Sequence, residues 1–145
     1  MKVIFASSKL PAAVAINFFS GGSNYHHCGH IIGDFVVEAR FLKGVVITPL
    51  KEFKARGKWA ILEYEVPNEQ AAEEFSKSLI GKNYDFSGAF GHPFGGRWAN
   101  PDNWYCSEHV NTSLFKGGVE MFKRTKSITP RDLYIHPLGK LVQVS

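Results

Sequence analysis

The feature that most constrains the fold is a pair of strand-like segments joined by a Gly-Asp dipeptide at positions 33–34. The run HHCGHII precedes the dipeptide and FVVEAR follows it. Apolar and β-branched residues mark both runs as strands, and Gly-Asp favours a tight two-residue turn. The sequence therefore predicts an antiparallel hairpin in which Ile32 faces Phe35 and His30 faces Val37.

This pairing sorts the side chains onto two faces, because successive residues of a strand point to opposite sides of a sheet. One face carries His27 and Glu38 as diagonal neighbours, within hydrogen-bonding reach of each other. The other face carries His26, Cys28 and His30 together with apolar residues. Nitrogen and sulfur ligands suit zinc, so this row is either core packing or a zinc site.

A cysteine far along the chain is the candidate nucleophile. Cys106 begins a segment in which Cys106, Val110 and Leu114 recur at helical spacing, and Asp102 or Asn103 is the expected N-cap. A thiol at a helix start lies near unpaired backbone N–H groups and the positive end of the helix dipole. Both favour the thiolate, which is the reactive form.

The hairpin offers a base for that thiol. Glu38 would hold one imidazole nitrogen of His27 and leave the other nitrogen for Cys106. A carboxylate within the apolar run FVVEA is costly unless it is paired. The alternative is that Glu38 faces solvent and His27 is an ordinary surface histidine, and spacing alone leaves both interpretations open.

Length and composition limit the class of protein. The 145 residues, 44% of them hydrophobic, predict one folded domain over 1–145. The net charge of +4 is not concentrated in any long basic run, and we interpret KEFKARGK at 51–58 as a solvated face, so no nucleic-acid partner is expected.

Two cysteines predict free thiols in a reducing compartment. No apolar run approaches the roughly 18 residues needed to span a bilayer, so we expect a soluble, cytoplasmic protein whose oligomeric state stays open.

Further segments complete an α+β pattern. The segments at 2–7, 44–50 and 59–66 indicate strands, and KLVQV near the end of the chain indicates an edge strand. Asn68 is a good N-cap for the helical segment EQAAEEFSKSLI, which Gly81 would end. The sequence therefore predicts an antiparallel sheet packed against helices.

Four motifs, in this order and spacing, resemble those of a known family: HHCG with FVVEA, LIGKNYDF, NPDNWYCSEHV and SITPRDLY. On these motifs the chain resembles the permuted NlpC-like hydrolases of the papain-like superfamily, the YaeF/YiiX group, and in particular its small members from phages and bacteria. In that group the catalytic histidine precedes the cysteine along the chain, as His27 precedes Cys106.

The resemblance implies a circularly permuted papain-like α+β fold and a cysteine hydrolase that acts by acyl transfer. Position by position, it makes Cys106 the nucleophile, His27 the general base, Glu38 the residue that orients His27, and Tyr84 a group that helps to polarise the substrate carbonyl. The bond cleaved would be an amide, in a peptide, isopeptide or peptidoglycan stem peptide, or an ester of a lipid acyl group. The resemblance implies no cofactor, and a cytoplasmic site of action in a bacterium or phage-infected host.

The sequence departs from the family pattern near both functional motifs. His26 and Cys28 stand where serine and valine are usual, and His109 replaces the leucine of the cysteine motif. His109 lies three residues after Cys106, where it either tunes the thiol or, as we expect, simply lines the cleft. Two alternatives therefore stay open. The chain could be an inactive binding module on the same fold, or a zinc protein that uses the row of His26, Cys28 and His30.

Overall fold

The computed structural model describes residues 1–7, 25–84, 103–122 and 128–145. The strands in this part of the chain are β1 (Lys2–Ser7), β2 (His27–Ile32), β3 (Phe35–Arg40), β4 (Gly44–Pro49), β5 (Lys58–Glu63), β6 (Asn83–Tyr84), β7 (Asn103–Trp104) and β8 (Lys140–Val144). Six of them form one antiparallel sheet in the order β4-β3-β2-β1-β5-β8, and β6 pairs in parallel with β7. The predicted antiparallel sheet is confirmed, with KLVQV as its edge strand.

The β2–β3 hairpin has the predicted register. His30 pairs with Val37 and Ile32 pairs with Phe35 across a turn at 33–34, where Gly33 has a φ of 57°. This positive φ suits glycine, which has no Cβ to clash in the left-handed region. The register fixes which side chains share a face, so the sorting of the functional residues holds in the folded chain.

The helices in the described residues are α1 (Leu50–Lys54), α2 (Glu69–Ser78), α3 (Cys106–Lys116) and α4 (Pro130–Tyr134). Asn68 caps α2 as predicted, because its side chain accepts a hydrogen bond from the backbone N–H of Ala71 at 3.0 Å. The prediction that Asp102 or Asn103 caps α3 is wrong. The helix begins later, directly at Cys106, and the N-cap position is Tyr105.

Helices cover both faces of the sheet. On one face, α2 and α3 pack with Ala72, Val110 and Leu114 against Cys28 and Val37. On the other face, Phe53 of α1 packs with a second apolar cluster formed by Ile4, Ala6, Val36 and Ile61. The nucleophile candidate therefore lies on a helix of the first face, and His27 and Glu38 project on the face that α1 covers.

No helix within the described ranges is long and apolar enough to cross a membrane.

Candidate active site

The hairpin brings His27 and Glu38 into direct contact. The Nε2 atom of His27 donates to Oε2 of Glu38 at 2.6 Å, so the predicted neighbours are hydrogen-bonded. The Glu38 side chain is fully buried, whereas 23% of the His27 side chain is exposed. The alternative that Glu38 faces solvent is therefore wrong. The His27 ring contacts a buried carboxylate, while part of the ring stays accessible to solvent.

Two further residues hold the Glu38 carboxylate. Thr48 of β4 donates its hydroxyl to Oε1 at 2.7 Å, and Nη1 of Arg56 donates to Oε1 and Oε2 at 2.8 and 3.0 Å. Burial alone would raise the pKa of Glu38, but the hydrogen bonds from His27, Thr48 and Arg56 outweigh it and lower the pKa to about 2. Glu38 is therefore ionised at every pH at which the protein would work.

The sequence reasoning missed Thr48 and Arg56. Thr48 could have been found from strand register, because it pairs with Val36 and so shares the face of Glu38. Arg56 lies in the basic run KEFKARGK, which we had interpreted as a solvated face. Nothing in the local pattern distinguishes the one arginine that turns inward to a buried carboxylate.

The same short segment also contacts the imidazole ring. Phe53 stacks on His27, with 5.8 Å between ring centroids and 20° between ring planes. The guanidinium of Arg56 lies 5.1 Å from the Phe53 centroid. Phe53 and Arg56 therefore limit the rotation of His27 and fix its carboxylate partner, which places the ring before any substrate binds.

Cys106 is the first residue of α3 and its side chain is buried. Burial alone would raise the pKa of this thiol, but hydrogen bonds to Cys28 and His27 and the charge of His27 lower it well below its ordinary value. Because Glu38 occupies Nε2 of His27, Nδ1 is the nitrogen left for the sulfur. Burial likewise opposes protonation of His27, yet its bonds to Cys106 and Glu38 raise its pKa to about 10. Both shifts favour a thiolate beside an imidazolium.

The sequence reasoning also described the surroundings of Cys28 incompletely. It lies in the buried row with His26 and His30, as expected, but it also neighbours Cys106, and each of the two thiols shifts the pKa of the other. The backbone amide of Cys28 contacts the same sulfur. The available signal was the departure from the family pattern, which has valine at this position.

Tyr84 and His109 have different positions. The backbone of Tyr84 in β6 pairs with Trp104, two residues before Cys106, but its side chain lies outside the described residues, so its role at the carbonyl stays a prediction. His109 is buried between α2 and α3, where its Nε2 and the Ser76 hydroxyl are 2.7 Å apart.

The zinc alternative finds no support in the geometry. Within the described ranges, no three His, Cys, Asp or Glu side chains are close enough together to hold a metal ion. Cys28 contacts the thiol of Cys106, and His30 is fully buried in the sheet. All three residues of the row are buried, which agrees with the core-packing interpretation.

Comparison with known proteins adds a family and a fold. A family model described as a permuted papain-like amidase enzyme, YaeF/YiiX, C92 family, matches residues 2–141. Among solved structures, the metalloprotein YiiX from Escherichia coli O157:H7 aligns with a TM-score of 0.78 and 22% sequence identity, over 99% of this chain and 96% of that chain. No curated protein matches at a significant level. The structural likeness shows a shared fold, and this fold is the papain-like α+β type that the sequence motifs predict.

Proposed function

Since the chain belongs to the permuted papain-like amidases of the YaeF/YiiX type, a family of cysteine hydrolases, we propose that Cys106, His27 and Glu38 form its catalytic triad. The observation that carries this proposal is the position of one ring. Nε2 of His27 donates to the buried carboxylate of Glu38 at 2.6 Å, and the Cys106 thiol is near enough to raise the pKa of the same ring. This is the arrangement that a nucleophile, its base and an orienting group require.

The proposed reaction is acyl transfer in two steps. The Cys106 thiolate attacks the carbonyl carbon, and the proton on Nδ1 of His27 passes to the leaving nitrogen or oxygen as the acyl-enzyme forms. His27 then takes a proton from water, which attacks the thioester and releases the acid. The backbone N–H of Cys106 starts α3 and has no intrahelical acceptor, so in this proposal it binds the developing oxyanion, with Tyr84 as a second donor.

The remaining contacts support this mechanism through His27. Arg56 and Thr48 keep Glu38 ionised and aimed at Nε2, so the imidazolium that forms during the cycle always has its counter-charge. Phe53 holds the plane of the ring. These are positioning residues, because the contacts that join them to the site are with His27, Glu38 and each other.

For the substrate we propose an amide bond in a peptide or peptidoglycan stem peptide. The family description as amidases favours an amide over an ester. A cavity of about 620 Å³ opens beside Arg56, and the described residues that line it include Tyr25, Lys58 and Val144 but neither Cys106 nor His27, so the proposed amide substrate rests on the family description. Both cysteines are free, which supports our proposal that the protein acts in a reducing compartment such as the bacterial cytoplasm.

Two measurements test the triad. Limiting iodoacetamide at pH 6 should alkylate Cys106 much faster than it alkylates N-acetylcysteine, and His27→Ala should remove this advantage. Turnover should be followed on peptide p-nitroanilides, purified peptidoglycan and p-nitrophenyl esters, and Cys106→Ala should abolish it. We expect His27→Ala to lower turnover by roughly 100-fold or more. His136→Ala, a histidine that packs on Phe122, is the matched control.

The outcomes separate the alternatives. Alkylation no faster than that of the free thiol, or unchanged in His27→Ala, would overturn the triad. A reactive Cys106 that turns over no probe would support the inactive binding module. Turnover of esters alone would replace the amide substrate with a lipid acyl ester.

A further inference from the structure

The chain contains two cysteines, and the fold brings them together. Cys28 in β2 and Cys106 at the start of α3 belong to one buried cluster where the two elements pack together, and each thiol shifts the pKa of the other. Both residues are almost completely buried, with 0% and 1% of their surface exposed. No part of the proposed hydrolytic cycle uses Cys28, so this thiol has no assigned chemistry.

The contact places a second sulfur where an oxidised nucleophile would need one. A thiolate reacts with hydroperoxides to give a sulfenic acid, which a nearby thiol converts to a disulfide. Without such a thiol, oxidation continues irreversibly to the sulfinic and sulfonic acids. A disulfide needs the sulfurs about 2.0 Å apart, so the neighbouring side chains of Cys28 and Cys106 must rotate toward each other for the bond to form.

Position decides which thiol responds. The sequence holds no third cysteine, so Cys28 is the only partner within the chain. Its thiol lies in the same buried cluster as Cys106, where β2 packs against α3, so its reaction with the sulfenic acid is intramolecular, whereas a thiol such as glutathione must first enter the site from solution. The internal reaction is therefore favoured over a mixed disulfide.

We propose that the Cys28–Cys106 pair is a site of reversible oxidation by hydroperoxides. The Cys106 thiolate attacks one peroxide oxygen, the O–O bond breaks, hydroxide leaves, and Cys106 becomes a sulfenic acid. The Cys28 sulfur then attacks the Cys106 sulfur, and the S–O bond breaks. The Cys28 proton and the hydroxyl leave together as water, and a disulfide remains. Two equivalents of a small thiol reductant restore both cysteines.

This step would switch the enzyme off without destroying it. The disulfide consumes the nucleophilic sulfur, so hydrolysis stops until reduction. Cys28 acts here as a resolving thiol and prevents loss of the catalytic sulfur to higher oxides. The proposal rests on the thiolate of Cys106, as the proposed function does, but it requires no turnover of any substrate.

The test follows sulfur chemistry by mass spectrometry. Full-length protein is treated with stoichiometric hydrogen peroxide and then denatured in the presence of N-ethylmaleimide. The wild type should lose two hydrogens, take up no maleimide and regain both thiols after dithiothreitol. A tryptic digest should show one peptide linking Cys28 to Cys106, in a species that runs as a monomer. Cys28→Val, which matches the size of the thiol, should instead gain two or three oxygens on Cys106 that dithiothreitol does not remove.

The results that would overturn the proposal are equally distinct. Sulfinic acid in the wild type with no disulfide, at the rate seen in Cys28→Val, would show that Cys28 does not resolve the sulfenic acid. A disulfide found only between molecules would overturn the internal pairing. The wild-type readout stands by itself if Cys28→Val fails to fold, and Cys28→Ala then serves as the second variant. A protein that forms the disulfide but hydrolyses nothing would contradict the proposed function alone.

Discussion

Glu38→Gln is the substitution that most directly tests how the site is held together. It preserves the size of the side chain and removes its charge. In the native site, three donors point at the two carboxylate oxygens, from His27, Thr48 and Arg56. A glutamine has one acceptor oxygen and one donor nitrogen. Whichever way the amide is turned, its NH₂ group meets at least one of these donors, so a buried hydrogen bond is lost and a repulsive contact replaces it.

The expected cost in stability follows from the pKa of Glu38. A fall in pKa from 4.5 to about 2 corresponds to about 3 kcal/mol of preference for the ionised form in the folded state. Breaking a buried ion pair costs about 3–5 kcal/mol, and the low end applies because Arg56 and His27 keep part of their hydration. We therefore expect the free energy of unfolding at pH 7 to fall by about 3 kcal/mol in urea titrations.

The variant also changes the dependence of stability on pH. Because the folded pKa of Glu38 is lowered, its contribution is complete above pH 4.5 and is lost as the pH falls toward 2. Glu38→Gln should remove this component of acid denaturation. The pKa of His27, raised to about 10 with help from Glu38, should also fall, and alkylation of Cys106 at pH 6 should slow by roughly 10-fold.

Glu63→Gln is the matched control, because Glu63 is an exposed glutamate at the end of β5. It should leave both the unfolding free energy and the alkylation rate within experimental error of the wild type. If Glu38→Gln lowers the unfolding free energy by less than about 1 kcal/mol, and Cys106 keeps its reactivity, then the carboxylate does not organise the site as argued.

Two further predictions concern the core around the site. Burial lowers the pKa of His30 and of His109 to about 3. As the pH falls from 6.5, the free energy of unfolding of the wild type should therefore fall by about 1.4 kcal/mol per pH unit for each histidine. Between pH 6.5 and 4.5 this loss is separate from the titration of Glu38. His109→Leu should reduce that slope by one histidine in urea unfolding series, and an unchanged slope would contradict it. Gly29→Ala should lower the unfolding free energy by about 1–3 kcal/mol, because its Cβ would lie 2.5 Å from Cγ1 of Val36. Adding Val36→Ala removes that clash, so the double variant should lose less than the two single variants together, and strict additivity would refute the steric explanation.

The parts of the fold that the sequence predicts are those governed by local rules. The two-residue turn at 33–34 sets the register of the hairpin, and the register puts His27 beside Glu38. Asn68 and the spacing after it predict α2 for the same reason. The capping prediction failed because residue type alone was used. Asp102 and Asn103 are good cap residues, but α3 begins only at Cys106 and its N-cap position is Tyr105.

The parts that could not be predicted depend on long-range packing. Arg56 reaches Glu38 from a basic run whose lysines are exposed or half-buried, and Cys28 meets Cys106 across the interface between a strand and a helix. The helical spacing of α3 predicts one buried face, but polar residues such as Ser107 and Asn111 are buried too. Neither periodicity nor composition records which surfaces come together, so these contacts needed the folded structure.

The chain order of the site has a consequence for how the protein acquires activity. The base and its carboxylate are eleven residues apart in one hairpin, and hairpins form within about 1–10 μs. The nucleophile Cys106 lies on α3, which is distant from β2 along the chain. Docking of α3 onto β2 is slow, because closing the long intervening loop costs entropy before the contact forms. We therefore expect Cys106 to remain an ordinary, weakly reactive thiol through synthesis and early folding, and to be activated in the last docking step. Pulsed hydrogen exchange during refolding would check this order, which requires protection of Val37 before Val110.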